Sequence, residues 1–423
     1  MNILLRQAQI IDPNSPYHNQ IADIFIQNGN IASIGSTSAE NFDQVIQVEG
    51  LCVSPGWMDT FAHFCDPGYE YKETLETGAA AAAAGGYTDV MVLPNTAPFL
   101  HNKASVEYIV HKSKVLPVTV HPIGAITKNG EGKELAEMYD MYQTGAVAFS
   151  DGLNTVQNAG LLLKALQYLK AIDATIIQLP DDKSINPNGL MHEGVLSTRL
   201  GLPGKPAIAE ELMIVRDIEL AKYTESKIHF TGVSTAKAIQ LIAQAKKEGI
   251  RVTCSVTPYH LLFCDEDLKE YDTNLKVNPP LRTQEDRAAL QAAVKEGIVD
   301  AIASHHLPQN VDEKLVEFEY AKNGMLGLQT SFGVVTSALP QLSATRLVEL
   351  FSINPRTIMG LPPATINVNE PAALTLFLME SAWTFKEVYI HSKSRNTPFV
   401  NYTLKGKPLG IINKDRVILN QEL

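Results

Sequence analysis

The sequence predicts an α/β fold in which a (β/α)8 barrel is joined to a smaller β domain. From Gly56 onward, short apolar runs alternate with amphipathic helical segments, which is typical of parallel βαβ units. Eight such runs can be counted, and eight parallel strands are the number that closes a TIM barrel. At both ends of the chain, strand-like runs follow one another without helices between them. The smaller domain is therefore expected to contain both chain ends.

The eight barrel strands are expected near residues 57–63, 87–93, 117–124, 146–151, 174–179, 227–233, 251–257 and 300–305. Segments between them have helical spacing, and the four clearest are KETLETGAAAAAAG, VQNAGLLLKALQYLKA, AEELMIVRDIELAKY and TAKAIQLIAQAKKEG. Each segment is long enough to cover one strand, as the outer ring of a barrel requires.

The β domain is expected from three runs at the start of the chain and three near its end. The first are NILLRQAQII, ADIFIQNGNIASIG and QVIQVEGLCVSPG, with an Asn28-Gly29 hairpin turn in the second. The last are AALTLFLM, NYTLKG and LGIINKDRVIL. We therefore predict a composite β domain of residues 1–54 plus 363–423, and a barrel of residues 55–362.

Composition excludes several classes of protein. The chain has 423 residues, of which 45% are hydrophobic and 19% charged, as in a globular fold. A net charge of −11 disfavours nucleic acid and anionic membranes as partners. The sequence has no apolar stretch of membrane-spanning length and no secretory signal, and its four cysteines show no paired spacing. We expect a cytoplasmic protein with free thiols.

The ends of the predicted barrel strands carry ordered motifs, and in this fold the chemistry lies at those ends. The motifs are PGWMDTFAHFCDPGYEYKETLETGAAAAAAGGYTDVMVLPNT, GAVAFSD, LMHEGVLS, VTPYHLL, KVNPPLR and IASHHLPQ. Over nearly its whole length the chain resembles dihydroorotase of the amidohydrolase superfamily. The resemblance implies an amidohydrolase-type barrel with a composite β-sandwich domain, and an ancestral activity that interconverts carbamoyl-aspartate and dihydroorotate in pyrimidine biosynthesis.

The chain departs from this family at the metal-ligand positions. The family's first strand ends in His-x-His-x-Arg, where the histidines bind metal and the arginine holds the substrate carboxylate. Here these positions are Phe61, His63 and Cys65. The histidines that end the family's fifth and sixth strands correspond to Gln178 and Gly232, neither of which normally binds zinc.

Other family positions are partly kept. The aspartate of the eighth strand, which transfers the proton in the family, corresponds to His305, and the next substrate-contacting histidine to Gln309. Asp151 is the one acid left where the family commonly has Asp-Asp-Gly. Asn95 and Asn278 match substrate contacts, although asparagine in such Pro-containing turns also caps backbone groups.

These replacements remove chemistry that the family reaction needs. Zinc lowers the pKa of bound water to about 7 and polarises the amide carbonyl, and water alone is a poor nucleophile. A binuclear centre is not expected here, and Cys65 cannot form the bidentate contact that arginine makes with a carboxylate. We expect no cofactor; if any metal is retained, zinc at His63, Asp151 and His305 is the remaining possibility.

The resemblance implies a partner as well. Non-catalytic dihydroorotase-like chains assemble with aspartate carbamoyltransferase, so we expect a structural partner of that enzyme in a homo- or hetero-oligomer. Two alternatives stay open: an active cyclic-amide hydrolase with an unusual metal site and His305 as base, or a sensor that binds a small molecule at Asn95 and Asn278 without turnover. Lys72 is expected to be a solvated residue in the first turn of a helix.

Overall fold

The computed structural model describes residues 1–36, 39 and 41–420. In chain order its strands are β1 (Asn2–Ile10), β2 (Ile21–Gln27), β3 (Asn30–Ile34), β4 (Gln44–Ile46), β5 (Cys52–Pro55), β6 (Trp57–Ala62), β7 (Tyr87–Val92), β8 (Thr119–Gly124), β9 (Ala148–Phe149), β10 (Thr175–Gln178), β11 (Met191–His192), β12 (Gly204–Lys205), β13 (Ile228–Phe230), β14 (Val252–Val256), β15 (Ala301–Ile302), β16 (Ala373–Thr384), β17 (Thr403–Asn413) and β18 (Arg416–Leu419).

The α-helices are α1 (Leu75–Ala84), α2 (Lys103–Ser113), α3 (Met138–Thr144), α4 (Ala159–Lys170), α5 (Val195–Leu200), α6 (Ile208–Thr224), α7 (Ala236–Lys247), α8 (Pro258–Leu262), α9 (Gln284–Lys295), α10 (Val311–Lys314), α11 (Ser331–Ala338), α12 (Ala344–Val348) and α13 (Asn354–Ile358). Within the described residues, none of these helices is both long enough and apolar enough to cross a membrane.

Eight parallel strands form the barrel in the order β6, β7, β8, β9, β10, β13, β14 and β15. A bridge between Ala62 and His306 joins the first strand to the segment after the last, and the His63 amide donates to the His306 carbonyl at 2.8 Å. The interior is filled by side chains that include Met58, Met91 and Ile123, all fully buried. The predicted fold class is confirmed.

All eight barrel strands are shorter than predicted, and the fourth, sixth and eighth differ most. The sixth covers Ile228–Phe230 rather than 227–233. The fourth covers Ala148–Phe149 rather than 146–151, and the eighth covers Ala301–Ile302 rather than 300–305. The eighth strand ends early because the next rim amide bonds to a side chain instead of a neighbouring strand. The Ser304 amide donates to Asp59 Oδ1 at 2.6 Å, and His305 adopts a left-handed backbone with φ 45°.

The second large sheet contains strands from both chain ends, in the order β18, β17, β16, β5, β1, β2 and β3, with β4 paired to β1. It encloses its own core, which includes Ile3, Ile24 and Leu374. The predicted hairpin turn is confirmed, since Asn28 and Gly29 both have positive φ, 49° and 77°. NYTLKG and LGIIN form the single strand β17 rather than two, and the exact domain bounds stay a prediction.

Residues 385–402, between β16 and β17, reach across to the rim of the barrel; we call them the C-terminal cover. The Lys393 amide donates to Glu73 Oε1 at 3.0 Å, and Ser394 Oγ donates to the Lys72 carbonyl at 2.7 Å. Asn396 Nδ2 donates to the Leu307 carbonyl at 3.0 Å. The cover therefore ties together the segments that follow the first and last barrel strands.

Candidate functional site

His63, after β6, has both ring nitrogens engaged. Nε2 donates to the Asn95 carbonyl at 2.9 Å, so Nδ1 is the acceptor for the Cys65 amide at 3.0 Å and the Cys65 thiol at 2.9 Å. Burial lowers the pKa of His63 to about 4 and raises the pKa of the Cys65 thiol well above its usual range. The pair is a neutral imidazole and a neutral thiol, with no nitrogen lone pair left for a metal.

Phe61, His305 and Gly232 pack as one unit at the centre of the rim. The rings of Phe61 and His305 stack with centroids 4.5 Å apart and planes at 30°. A Cβ atom at Gly232 would lie 2.6 Å from His305 Cε1, closer than such atoms approach. Gly232 also has φ 67°, which side chains rarely adopt. The histidine at 305 thus occupies space that a side chain at 232 would need.

A chain of hydrogen bonds runs from His305 into the barrel wall. Thr231 Oγ1 lies 2.7 Å from His305 Nε2, and Ser255 Oγ donates to Thr231 Oγ1 at 3.0 Å. His229 contacts Ser255 Oγ at 3.0 Å through Nε2 and Thr253 Oγ1 at 2.9 Å through Nδ1. Every group in this chain has a partner when both imidazoles are neutral and each hydroxyl donates toward the mouth: Thr253 to His229, Ser255 to Thr231, and Thr231 to His305. Burial supports this state because it lowers the pKa of His229 and of His305 to about 3.

Gln178 and Asp151 are buried in separate polar contacts. Gln178 Nε2 donates to Asp217 Oδ2 at 3.4 Å, and Asp217 is held by Arg216 Nε at 2.7 Å. Asp151 accepts from the amides of Ile126 and Thr127 at 2.9 and 2.8 Å, and from the Thr127 hydroxyl. Burial raises the pKa of Asp151 to about 6, although these hydrogen bonds act in the opposite direction.

The two asparagines matched to substrate contacts bind protein groups instead. Asn95 Oδ1 accepts from the Leu153 amide at 3.0 Å, and its Nδ2 donates to the Asp151 carbonyl at 3.1 Å. Asn278 Oδ1 accepts from Lys205 Nζ at 3.0 Å, and that ammonium also pairs with Asp181 at 2.6 Å. Asn95 connects loops, whereas the amide nitrogen of Asn278 has no hydrogen-bond partner among the described residues.

Gln309 and Lys72 are bound to each other across the rim. Gln309 Oε1 accepts from Lys72 Nζ at 2.8 Å, and Gln309 Nε2 donates to the Asn323 carbonyl at 2.7 Å. Lys72 also pairs with Glu313 at 2.8 Å, and its side chain is 16% exposed. The expectation of a solvated lysine in the first helical turn was therefore wrong: Lys72 precedes α1 and links two loops.

The cavity that remains at the mouth is small. It is lined by Phe61, Tyr259, Asn278, His305 and His306 among others, and its volume is about 20 Å³. That is room for about one water molecule, whereas pockets for small molecules measure roughly 300–1,000 Å³. In this conformation the cavity is too small to hold a six-membered ring.

Comparison with known proteins shows which family the chain is similar to. The family model described as Dihydro-orotase-like matches residues 50–238. Proteins named dihydroorotase from Pelotomaculum thermopropionicum and Syntrophus aciditrophicus are 40% and 38% identical to this chain, over 100% of each protein and of this chain. This chain belongs to the dihydroorotase family.

Solved structures of a hydantoinase and a dihydropyrimidinase share this fold. The L-hydantoinase (dihydropyrimidinase) of Arthrobacter aurescens matches with a TM-score of 0.85, covering 99% of this chain and 96% of its own, at 23% identity. The dihydropyrimidinase of Brevibacillus agri matches with a TM-score of 0.84 over 99% and 95%, at 19% identity. At these identities the likeness establishes the fold alone.

The metal centre that the dihydroorotase resemblance implies does not fit this rim. Among residues 1–36, 39 and 41–420, no group of three or more His, Cys, Asp or Glu side chains is arranged to hold a metal ion. In protein hydrogen bonds, His63 uses both ring nitrogens, Asp151 both carboxylate oxygens and His305 its Nε2 atom. Zinc needs at least three such donors free and convergent.

Sequence reasoning missed the residues that support the rim. Thr231, Ser255 and His229 form the hydrogen-bond chain, and Glu73 contacts His306 at 3.5 Å and the C-terminal cover. The available signal was polar residues inside apolar strands, HFT at 229–231 and TCS at 253–255. Polar groups buried in strands need partners, so adjacent strands with this pattern indicate a shared network.

Replacing Gly232 with alanine should destabilise the fold more than the same change at Gly201. Gly201 has φ 68° and no atom within 4 Å of the position that a Cβ would take. Gly201→Ala therefore costs only the strain of a side chain on a left-handed backbone, about 1 kcal/mol. Gly232→Ala should cost about 1–3 kcal/mol more, because the methyl group meets His305. Urea denaturation followed by circular dichroism measures both.

The contact with His305 has its own control. The double variant Gly232→Ala/His305→Ala should lose at least about 1 kcal/mol less unfolding free energy than the sum of the two single losses, since the clash is then removed. Additive losses in the double variant would contradict the packing described here.

Acid should destabilise the protein through its buried imidazoles. The unfolded chain takes up protons at a pKa of about 6.5, whereas folded His305 stays neutral down to about pH 3. Stability is therefore full above pH 6.5 and decreases as the pH falls, by about 2 kcal/mol per such histidine at pH 5. The variant His305→Asn should narrow the difference in unfolding free energy between pH 7 and pH 5 by about this amount.

Asparagine suits position 305 because it tolerates a positive φ. His111→Asn, on the exposed surface of α2, is the matched control and should leave the pH difference unchanged. An equal pH difference in wild type and His305→Asn would show that His305 does not titrate on unfolding.

Proposed function

We propose that this chain is a non-catalytic member of the dihydroorotase family and acts as a structural partner of aspartate carbamoyltransferase. The filled mouth of the barrel supports the absence of catalysis: Phe61 and His305 stack where metal and substrate would lie in an active relative. The volume left is about 20 Å³. The family resemblance supplies the partner.

The remaining groups at the mouth support no replacement chemistry. A general base works best with a pKa near the working pH, whereas burial lowers the pKa of His305 to about 3. A nucleophilic cysteine needs a lowered pKa and access to substrate. Cys65 is 1% exposed and burial raises its pKa, so the His63–Cys65 pair lacks both properties.

An active cyclic-amide hydrolase with an unusual metal site is the competing proposal. It would require His63, Asp151 and His305 to turn toward one ion. Turning His63 would break contacts with Asn95 and Cys65, and turning His305 would break those with Phe61 and Thr231. Burying an unpaired polar group costs about 1–3 kcal/mol each. A sensor of small molecules would likewise need a larger cavity.

A surface beside the mouth supports the partner role. The segment around α10 exposes apolar side chains: Val311 is 67% exposed, Leu315 83% and Tyr320 72%. The ion pair between Lys72 and Glu313 holds this segment beside Tyr71, which is 54% exposed. Contiguous exposed apolar side chains on a folded domain often mark a protein interface.

The purified protein should contain substoichiometric zinc and show no turnover above background. The reason is that the described residues of its rim offer no convergent set of free donors. Elemental analysis after preparation without chelator, and assay of both directions between carbamoyl-aspartate and dihydroorotate with zinc or manganese supplied, measure this. The relative from Pelotomaculum thermopropionicum, named dihydroorotase, is the positive control for the assay. Stoichiometric metal with turnover would refute the non-catalytic proposal.

Aspartate carbamoyltransferase of the same organism should co-purify with this chain. If the apolar segment at α10 is the contact, Val311→Glu should weaken the complex at least about tenfold, because a charge there must be desolvated. Val115→Glu is the matched control: Val115 is 75% exposed and lies just before β8, at the other end of the barrel. Analytical ultracentrifugation measures both.

At about 10 μM, a complex with a dissociation constant of about 1 μM or less is mostly formed. Separate sedimentation of the two wild-type proteins at that concentration would refute the partner role. If both variants weakened the complex equally, the contact would not be at α10.

A further inference from the structure

A groove of about 490 Å³ lies at the end of the barrel opposite the mouth, and we call it the seam groove. It is lined by the end of α2 (Val110, Ser113 and Lys114), residues 116–122 leading into β8, Gly145, and the β17–β18 turn (Asn413, Lys414, Asp415 and Arg416). It therefore lies between the barrel and the β domain, a common place for ligand sites. Its volume falls in the range of small-molecule pockets, roughly 300–1,000 Å³.

The charged side chains of the seam groove are mostly basic. Lys114, Lys414 and Arg416 line it together with His121, and Asp415 is the acid among its lining residues. Three full positive charges against one negative leave an excess of two, in a chain whose net charge is −11. Within the described part of the chain, neither lysine ammonium forms an ion pair. Unpaired cations that line one groove attract anions.

Two of these groups are held in place before any ligand arrives. One terminal nitrogen of Arg416 donates to the carbonyls of Val115, at 2.8 Å, and Leu116. Its other guanidinium nitrogens make no hydrogen bond with the described residues. His121 Nε2 lies 2.8 Å from Asp89 Oδ1, which leaves Nδ1 without a protein partner among those residues. A guanidinium that is already fixed in this way reduces the entropy lost on binding.

The rest of the seam groove is apolar. Leu116, Val118 and Val120 form a buried wall, flanked by Pro117 and Pro122. A hydrated inorganic ion gains nothing from such a wall, whereas an apolar body gains about 25 cal/mol for each Å² removed from water. The combination of basic rim and apolar wall fits an organic anion rather than a bare one.

We propose that the seam groove binds a small organic phosphate, with its phosphoryl group at Lys114, Lys414 and Arg416 and its apolar body against Leu116 and Val118. A phosphate dianion matches the excess of two positive charges, and arginine and lysine are its usual protein partners. This binding does not depend on the proposed function, because the groove lies at the far end of the barrel from the mouth.

The test uses phenyl phosphate, which carries a dianion and an apolar ring, with isothermal titration calorimetry and thermal denaturation of the full chain. Phenyl phosphate should bind saturably and raise the melting temperature. Inorganic phosphate, without the ring, and benzoate, with one charge, should both bind at least about tenfold more weakly, a difference of about 1.4 kcal/mol.

Charge reversal locates the site. The double variant Lys114→Glu/Lys414→Glu should lose at least about tenfold in affinity for phenyl phosphate, and its melting temperature without ligand shows whether it folds. Lys103→Glu, at the opposite end of α2 and also exposed, is the matched control and should bind like wild type. The proposal is overturned by no saturable binding, by equal binding of benzoate, by an equal loss in Lys103→Glu, or by a folded double variant that binds like wild type.

Discussion

The packing of His305 against the backbone at Gly232 is the constraint on which the barrel mouth depends. The two positions share one volume: a Cβ at 232 would lie 2.6 Å from the imidazole at 305. In the family pattern the larger side chain is at 232 and an acid is at 305, whereas here the sizes are reversed. Phe61 follows from the same arrangement, because its ring stacks on the imidazole. These three replacements are therefore parts of one packing change, and reverting any one alone would leave a clash or a void.

This change also alters what stabilises the mouth. A metal centre couples folding to metal binding, since its ligands satisfy one another only through the ion. Here Thr231, Ser255 and His229 give His305 a hydrogen-bonded path into the wall that contains only neutral groups. Neutral polar groups cost far less to bury than charged ones, provided each has a partner. The mouth can thus hold its shape without an ion, and its pH sensitivity comes from imidazoles that must stay uncharged.

The sequence predicted the barrel and the composite sheet because both depend on periodicity, which is local. It also identified the positions where the family's metal ligands are replaced, because the motifs around those positions remain intact. The partners of those positions could not be predicted, since they come from neighbouring strands whose register exists only in the closed barrel. Thr231 and His305 are 74 residues apart, and Lys72 and Gln309 are 237 apart. The prediction for Lys72 was wrong for this reason: nothing near it in sequence indicates an ion pair with Glu313.

The two ends of the barrel have opposite characters. Function in such barrels normally lies at the carboxyl ends of the strands, and the other end serves stability. At the carboxyl ends of the strands in this chain, His63 has protein partners for both ring nitrogens and His305 for Nε2, and the free volume is about 20 Å³. At the other end, Asp89 anchors Arg356 and His121 beneath a groove whose lysines have no described ion-pair partner. Polar groups that bond within the protein stabilise the fold but are not available to a ligand. Unpaired cations add little to stability and remain available to bind an anion. The proposed binding of small molecules therefore lies away from the ancestral mouth.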